Sequence, residues 1–376
     1  MKLKVTLTIL LTALFIFSLS TGHAVANFSQ SMTALYLGDG PLGTVMREIR
    51  LPRAMLAILV GASLGVSGAA LQGYLRNPLA EPGLIGVSGS AALGAVIALH
   101  TGFATYVWMG LPIASFSFAT IAVLVLLLLA GPRGSSLTLI LAGIAVSALA
   151  GAFTSLALNL SPNPYATSEI VFWLMGSLAD RSFEHFWLAL PFCLIGCLMI
   201  GSTGKALDAL TLGEDVASSL SISLTKTKLL LVFGVASSVG AATAVCGTIG
   251  FVGLVVPHLL RPLVKGKPST LLFVSGLGGA VMGGVNALMA GKGLAGAAGA
   301  AAKGFATPGS GIAQGAKLAG NLAQKSNNPL LQNVGKMAGM ASNFLPGGNP
   351  MGALGAIGGM FQQKHGGYVS PKHRLF

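Results

Sequence analysis

Few side chains in this sequence have the types and spacing that covalent chemistry needs, and each group that comes close fails at a definite position. Gly201-Ser-Thr-Gly204-Lys205-Ala206 approaches a phosphate loop, but Met stands at 199 where that pattern needs Gly, and Ala206 replaces its Ser or Thr. Cys193, Cys197 and Cys246 fall inside apolar runs without CxxC or Cys/His spacing, and their odd number opposes a disulfide framework. They read as small buried apolar residues. His258 has no Cys, His or carboxylate at metal spacing, so it reads as a hydrogen-bonded structural residue and not a ligand. Paired carboxylates on a helix, a nucleophile elbow and an HExxH pattern are not found. The sequence therefore predicts no catalytic residue, no metal and no cofactor.

The polar residues that do stand out are placed for movement and contact. In Leu212-Gly213-Glu214-Asp215-Val216-Ala-Ser-Ser219-Leu220, two acids open a short helix where its dipole favours them, and Val216 and Leu220 share a face. Such a helix leaving a membrane bundle lies on lipid or docks on a protein. Acids beside an anionic leaflet favour docking. In Arg76-Asn77-Pro78-Leu-Ala-Glu81-Pro82-Gly83, two prolines forbid one continuous helix. Asn77 can cap, and Glu81 with Pro82 can open the next helix, so a turn lining a cavity is preferred over a surface loop. Pro257-His258 predicts a second kink. Small residues, Gly61, Gly65 and Gly68 in one run and Gly250 and Gly253 in another, permit close helix approach, and ordinary bundle packing accounts for them.

The elements that must position these residues are hydrophobic helices. Of 376 residues, 53% are hydrophobic and 8% charged, with a mean hydropathy of +0.79. That is far from the charge content of about a quarter expected of a soluble domain. Stretches near 5–20, 54–73, 84–101, 107–130, 137–159, 184–201, 229–247, 250–264 and 270–290 are candidates to cross a bilayer. The segment near 168–179 is too short and predicts an interfacial or re-entrant helix. Lys2 and Lys4, the apolar run that follows and Ala24-Val25-Ala26 have the outline of a cleavable signal peptide. Placing Lys2 and Lys4 inside and alternating puts Arg76, Arg133, the Lys205–Lys228 loop, Arg261, Lys265 and Lys267 inside too. Arg47, Arg50 and Arg53 then fall outside, against the insertion bias, which predicts either a use there or headgroup anchoring.

Two domains are predicted: 1–282, a membrane bundle, and 283–376, a tail rich in Gly, Ala, Asn and Gln. The tail has no acidic residue and eight Lys or Arg, which carry most of the net charge of +13. Its glycine content opposes a stable helix, at about 1 kcal/mol per Gly relative to Ala.

Over about residues 5–282 the chain resembles the permease subunits of binding-protein-dependent ABC importers for iron-siderophores, haem and vitamin B12. Arg50-Leu-Pro-Arg53, Ser67-Gly68-Ala69, Arg76-Asn77-Pro78-Leu-Ala-Glu81-Pro82-Gly83, Trp173-Leu-Met-Gly176-Ser-Leu, Leu212-Gly213-Glu214-Asp215-Val-Ala and Gly250-Phe-Val-Gly253-Leu-Val-Val-Pro257-His258-Leu-Leu-Arg261 carry the likeness in the family's order. The resemblance implies an all-α polytopic bundle with eight or nine of the usual ten helices, its first helix retained, in the bacterial inner membrane. It implies a homodimer with the path at its interface, cytoplasmic ATP-binding subunits, an extracytoplasmic binding protein docked on Arg50 and Arg53, and coupling through Leu212–Leu220. Lipid is the remaining partner, nucleic acid is not one, and hydrolysis belongs to the ATP-binding partner. The tail departs from the family. A second reading is a truncated, inactive permease joined, by fusion, frameshift or assembly artefact, to a phage-like structural segment.

Overall fold

A computed structural model describes residues 2–20, 28–38, 40–131, 135–161, 167, 170–171, 173–179 and 181–291. Arg133 and the basic tail beyond 291 lie outside the described residues. Helices carry all the regular structure among those described. In order they are α1 (Lys2–Ser20), α2 (Phe28–Leu37), α3 (Gly40–Thr44), α4 (Leu51–Tyr74), α5 (Val87–His100), α6 (Phe103–Tyr106), α7 (Gly110–Ala130) and α8 (Ser136–Asn159). There follow α9 (Phe183–Ser202), α10 (Gly204–Leu210), α11 (Glu214–Ser219), α12 (Leu224–Cys246), α13 (Val252–Leu260) and α14 (Pro268–Gly291). A π-helical turn, Val45–Arg50, joins α3 to α4, and 3-10 turns occupy Pro82–Ile85 and Pro262–Val264.

Seven segments among the described residues are long and apolar enough to cross a membrane: α1, the run from α3 through α4, α7, α8, α9, α12 and α14. Two expected spans are corrected. The stretch near 84–101 is a 14-residue α5 preceded by a 3-10 turn, and the one near 250–264 yields a nine-residue α13. Proline is the cause in both. Pro82 starts a tight turn before α5 and Pro262 starts another 3-10 turn after α13, while Pro257 lies inside α13, which continues to Leu260.

The bundle has a centre and a ring. The spanning windows of α4, α12 and α14 are 72%, 78% and 61% buried, those of α1, α7, α8 and α9 between 11% and 33%. Two helices in lipid gain nothing from hiding apolar surface, so the centre is held by closeness of backbone. Along α4, Ala57, Gly61 and Gly65 recur every fourth residue, and along α14 Ser275, Gly279 and Gly283 do the same. The two rows interlock. A Cβ on Gly61 would stand 2.1 Å from the Gly279 carbonyl oxygen, one on Gly65 2.0 Å from that of Ser275, and one on Gly283 2.0 Å from that of Ala57. The pairing runs 57–283, 61–279, 65–275, so the helices are antiparallel.

α14 continues to Gly291, and Gly283 is the third contact of its row with α4. The intrinsic penalty of glycine in a helix, about 1 kcal/mol each, is offset by an approach that no side chain would allow.

Candidate coupling surface and membrane-depth hinge

Two of the three arginines placed against the insertion bias, Arg47 and Arg50, close helix ends. The last carbonyls of a helix have no partner within it and carry partial negative charge. Arg50 Nη1 donates to Leu19 O, in the last turn of α1, at 3.0 Å. Arg47 Nε and Nη2 donate to Leu35 O and Tyr36 O, in the last turn of α2, at 3.0 and 2.7 Å. Arg50 is 1% exposed and Arg53 7%, whereas Arg47 is exposed. Burial of two cations at this end was not readable from their spacing. The carbonyls that receive Arg50 and Arg47 lie 31 and 11 to 12 positions earlier, on other helices.

The proline turn dives into the bundle. Arg76 through Leu79 are exposed, and Ala80, Pro82, Ile85 and Gly86 are buried. Asn77 Oδ1 accepts from Leu79 N at 2.9 Å, so its cap closes a local turn and no helix. Glu81 and Pro82 open the 3-10 turn, and α5 begins only after Gly86, whose φ of +78° and close contact with Val146 exclude a side chain. A Cβ on Gly143 would stand 2.2 Å from Leu84 O, and Ser147 Oγ donates to Gly83 O at 3.2 Å. Gly143 and Ser147 lie about 10 and 17 Å along α8 from Ser136 at ~1.5 Å per residue. The turn is therefore packed level with the first half of α8, a candidate span, and irregular backbone at such a level survives only with protein or water partners.

Beside it stands α13. Pro257 has no N–H, so the carbonyl of Gly253 loses its donor four residues on. That carbonyl rests on α4, where a Cβ on Gly68 would come within 1.8 Å of it, and Pro82 packs on Gly253 from the other side. Gly68, Gly253, Pro82 and Pro257 thus form one joint between α4, α13 and the diving turn. Gly250 does not share in the packing: a Cβ there meets nothing within 4 Å. His258 is exposed, and no cluster of metal-ligating side chains is found among the described residues. Trp173 and Gly176 of the expected short helix pack on the other end of α12. There Ser177 N donates to Cys246 O at 2.7 Å, and Thr248 Oγ1 donates to Leu174 O.

At the inner end, α10 and α11 hang below the bundle. Gly201 and Ser202 close α9, and Gly204 and Lys205 open α10, so the near-phosphate loop is helix on both sides of one residue. Asp208 Oδ1 accepts from Ser269 N at 2.8 Å, capping α14, and its Oδ2 is 3.8 Å from Lys267 Nζ. Beyond Gly213, Glu214 and Asp215 stand in the first turn of α11, and Ser218 and Ser219 hydroxyls donate to Asp215 O at 2.8 and 2.9 Å. Ala217 is buried against the bundle while Leu212, Val216 and Leu220 are 67%, 42% and 59% exposed. An acidic helix with an apolar outer face is presented to whatever lies beneath. Arg76 Nη2 meets Glu214 Oε1 at 3.1 Å.

Comparison with known proteins agrees with this geometry. The sequence pattern of the FecCD transport family matches residues 10–290. An uncharacterised ABC transporter permease of Bacillus subtilis is 42% identical over 248 residues, 64% of this chain and 70% of that one. A hemin transport system permease of Yersinia pestis is 39% identical over 246 residues, 62% and 71% of the two chains. A solved ABC transporter, described as of the metal-chelate type and inward-facing, superposes with a TM-score of 0.68 at 32% identity, over 76% of this chain and 90% of that one.

Proposed function

We propose that this chain, which belongs to the FecCD transport family, is the membrane permease of an ABC importer that moves an iron chelate, haem or cobalamin inward across the bacterial inner membrane. Family membership and seven apolar spans make it a multi-pass membrane permease, a transport component. The observation that carries the coupling half of the reading is α11: a short acidic helix with exposed Val216 on it and exposed Leu212 and Leu220 beside its two ends, at the end of the bundle where the basic loops gather. Exposed apolar side chains rimmed by charge mark a protein contact. The partner proposed is a cytoplasmic ATP-hydrolysing subunit.

On the opposite end an extracytoplasmic binding protein would dock. Arg50 and Arg53 would serve it by fixing the π-helical turn that presents Arg47 and Glu48, since they are themselves buried. Homodimerisation is favoured by α8, whose exposed face carries Leu141, Ile144, Leu149 and Phe153. The permease unit is best ended after Gly291, because α14 continues that far and the family pattern reaches 290.

Co-purification tests the coupling role. The detergent-extracted chain should retain its ATP-binding subunit, and the double reversal Glu214→Lys, Asp215→Lys should release it. Retention by the reversed variant overturns the assignment of α11.

A further inference from the structure

Gln72 is 0% exposed in an apolar helix, and both ends of its amide are engaged by one other element. Its Nε2 donates to Leu254 O at 3.1 Å, and its Oε1 accepts from Arg261 Nη2 at 2.9 Å. Leu254 lies in the first turn of α13 and Arg261 is the residue that follows the helix, so one side chain clamps the length of this proline-containing helix. Four residues before Gln72 is Gly68, against the carbonyl that Pro257 leaves free. Four residues after it is Arg76, bonded to Glu214 of α11. A residue with φ of 50° just past a helix end is a glycine position by conformation. Arg76 occupies it instead, and its ion pair is 46% and 45% exposed, too open to solvent to stabilise the fold much. Stability does not explain an arginine there; the contact it makes does.

We propose that Gly68, Gln72 and Arg76 form a mechanical link along the inner half of α4, joining α11 to the half-membrane helix α13 and the proline turn beside it. This rests on the reading of α11 as the seat of an ATP-hydrolysing subunit. When that subunit moves α11, the Arg76–Glu214 pair carries the displacement to the end of α4. The Gln72 clamp then moves α13 as a unit, because neither end of the amide can let go without leaving a buried polar group unpaired. Gln72 is a positioning residue: it touches neither substrate nor ATP.

The test uses the permease with its ATP-binding subunit in liposomes, the three cysteines replaced by Ala and one reporter introduced by Val255→Cys. ATP with vanadate should change maleimide labelling of the reporter. In Gln72→Leu that change should fall by about tenfold, the size of an ordinary coupling energy, with co-purification and basal ATP hydrolysis unaltered. Labelling that responds normally in Gln72→Leu overturns the link. Arg76→Glu and Glu214→Arg should each weaken the response and the paired exchange should restore it, which a merely structural role would not produce. A pair no better than its singles also overturns the proposal. If the parent permease fails to hold the ATP-binding subunit, the coupling role of α11 has failed first, and the co-purification arm records that separately.

Discussion

Helices α4 and α8 are equally apolar, yet 72% of one spanning window and 28% of the other is buried. In water that difference would follow from hydrophobicity. In lipid it cannot, because both helices have an apolar solvent whichever way they turn. The difference lies in what the small residues meet, since α8 has Gly143 and Ser147 as well but sets them against the short turn at Gly83 and Leu84 and not against another spanning helix. α4 carries Ala57, Gly61 and Gly65 facing the matching row of α14, whereas the outward positions of α8 are Leu141, Ile144, Leu149 and Phe153. Where the surface is small, backbones touch and a centre forms. Where it is large, the helix stays on the ring, open to lipid or to another protein.

The sharpest way to break this comparison is to put bulk into the row on α14. Gly279→Leu forces a side chain against the Gly61 carbonyl, which a Cβ alone would approach to 2.0 Å. It should cost above about 4 kcal/mol and abolish a cooperative melt in detergent. A normal melt would mean that the two backbones are not in contact. Next in size, Arg50→Ala removes the donor to Leu19 O inside the bundle, and should lower stability by about 1–3 kcal/mol through the buried carbonyl it abandons. Proteolysis near the end of α1 should accelerate with it. The smallest effects belong to α8. Gly151→Ala, where an added Cβ meets nothing within 4 Å, should leave stability within about 0.5 kcal/mol or raise it slightly through helix propensity. Leu149→Ala, 56% exposed in the single chain, should match it. If Leu149→Ala instead costs about 2 kcal/mol or more in the assembled permease, the α8 face is packed against a second copy, and the contrast belongs to one protomer only.

Much of the proposed coupling surface was legible along the chain. Glu214 and Asp215 before Val216 and Leu220 predict a short amphipathic helix, and the structure has one. Pro78 and Pro82 predict an interruption between α4 and α5, and the chain turns there; Pro257 predicts another, but α13 runs through it to Leu260. What went unread is the partner of every such feature. Gly61 and Gly65 announce a close contact without saying with what; the answer, Gly279 and Gly283, lies more than 200 positions away, in a stretch whose composition resembles a loose tail. Gln72 reads as one polar residue in an apolar run. It gains meaning only once Leu254 and Arg261 are folded against it.

The sequence alone determined which segments are apolar, where proline denies them continuity and where charge stops them, because hydropathy and backbone geometry act over one or two turns of chain. Tertiary structure alone decided which helices are central, that the Pro82–Ile85 turn is tucked against Gly143 and Ser147 of α8, and that Arg50 is sealed inside. Those depend on complementary shapes meeting across the bundle, and in an apolar solvent shape, which local composition does not encode, chooses the neighbours.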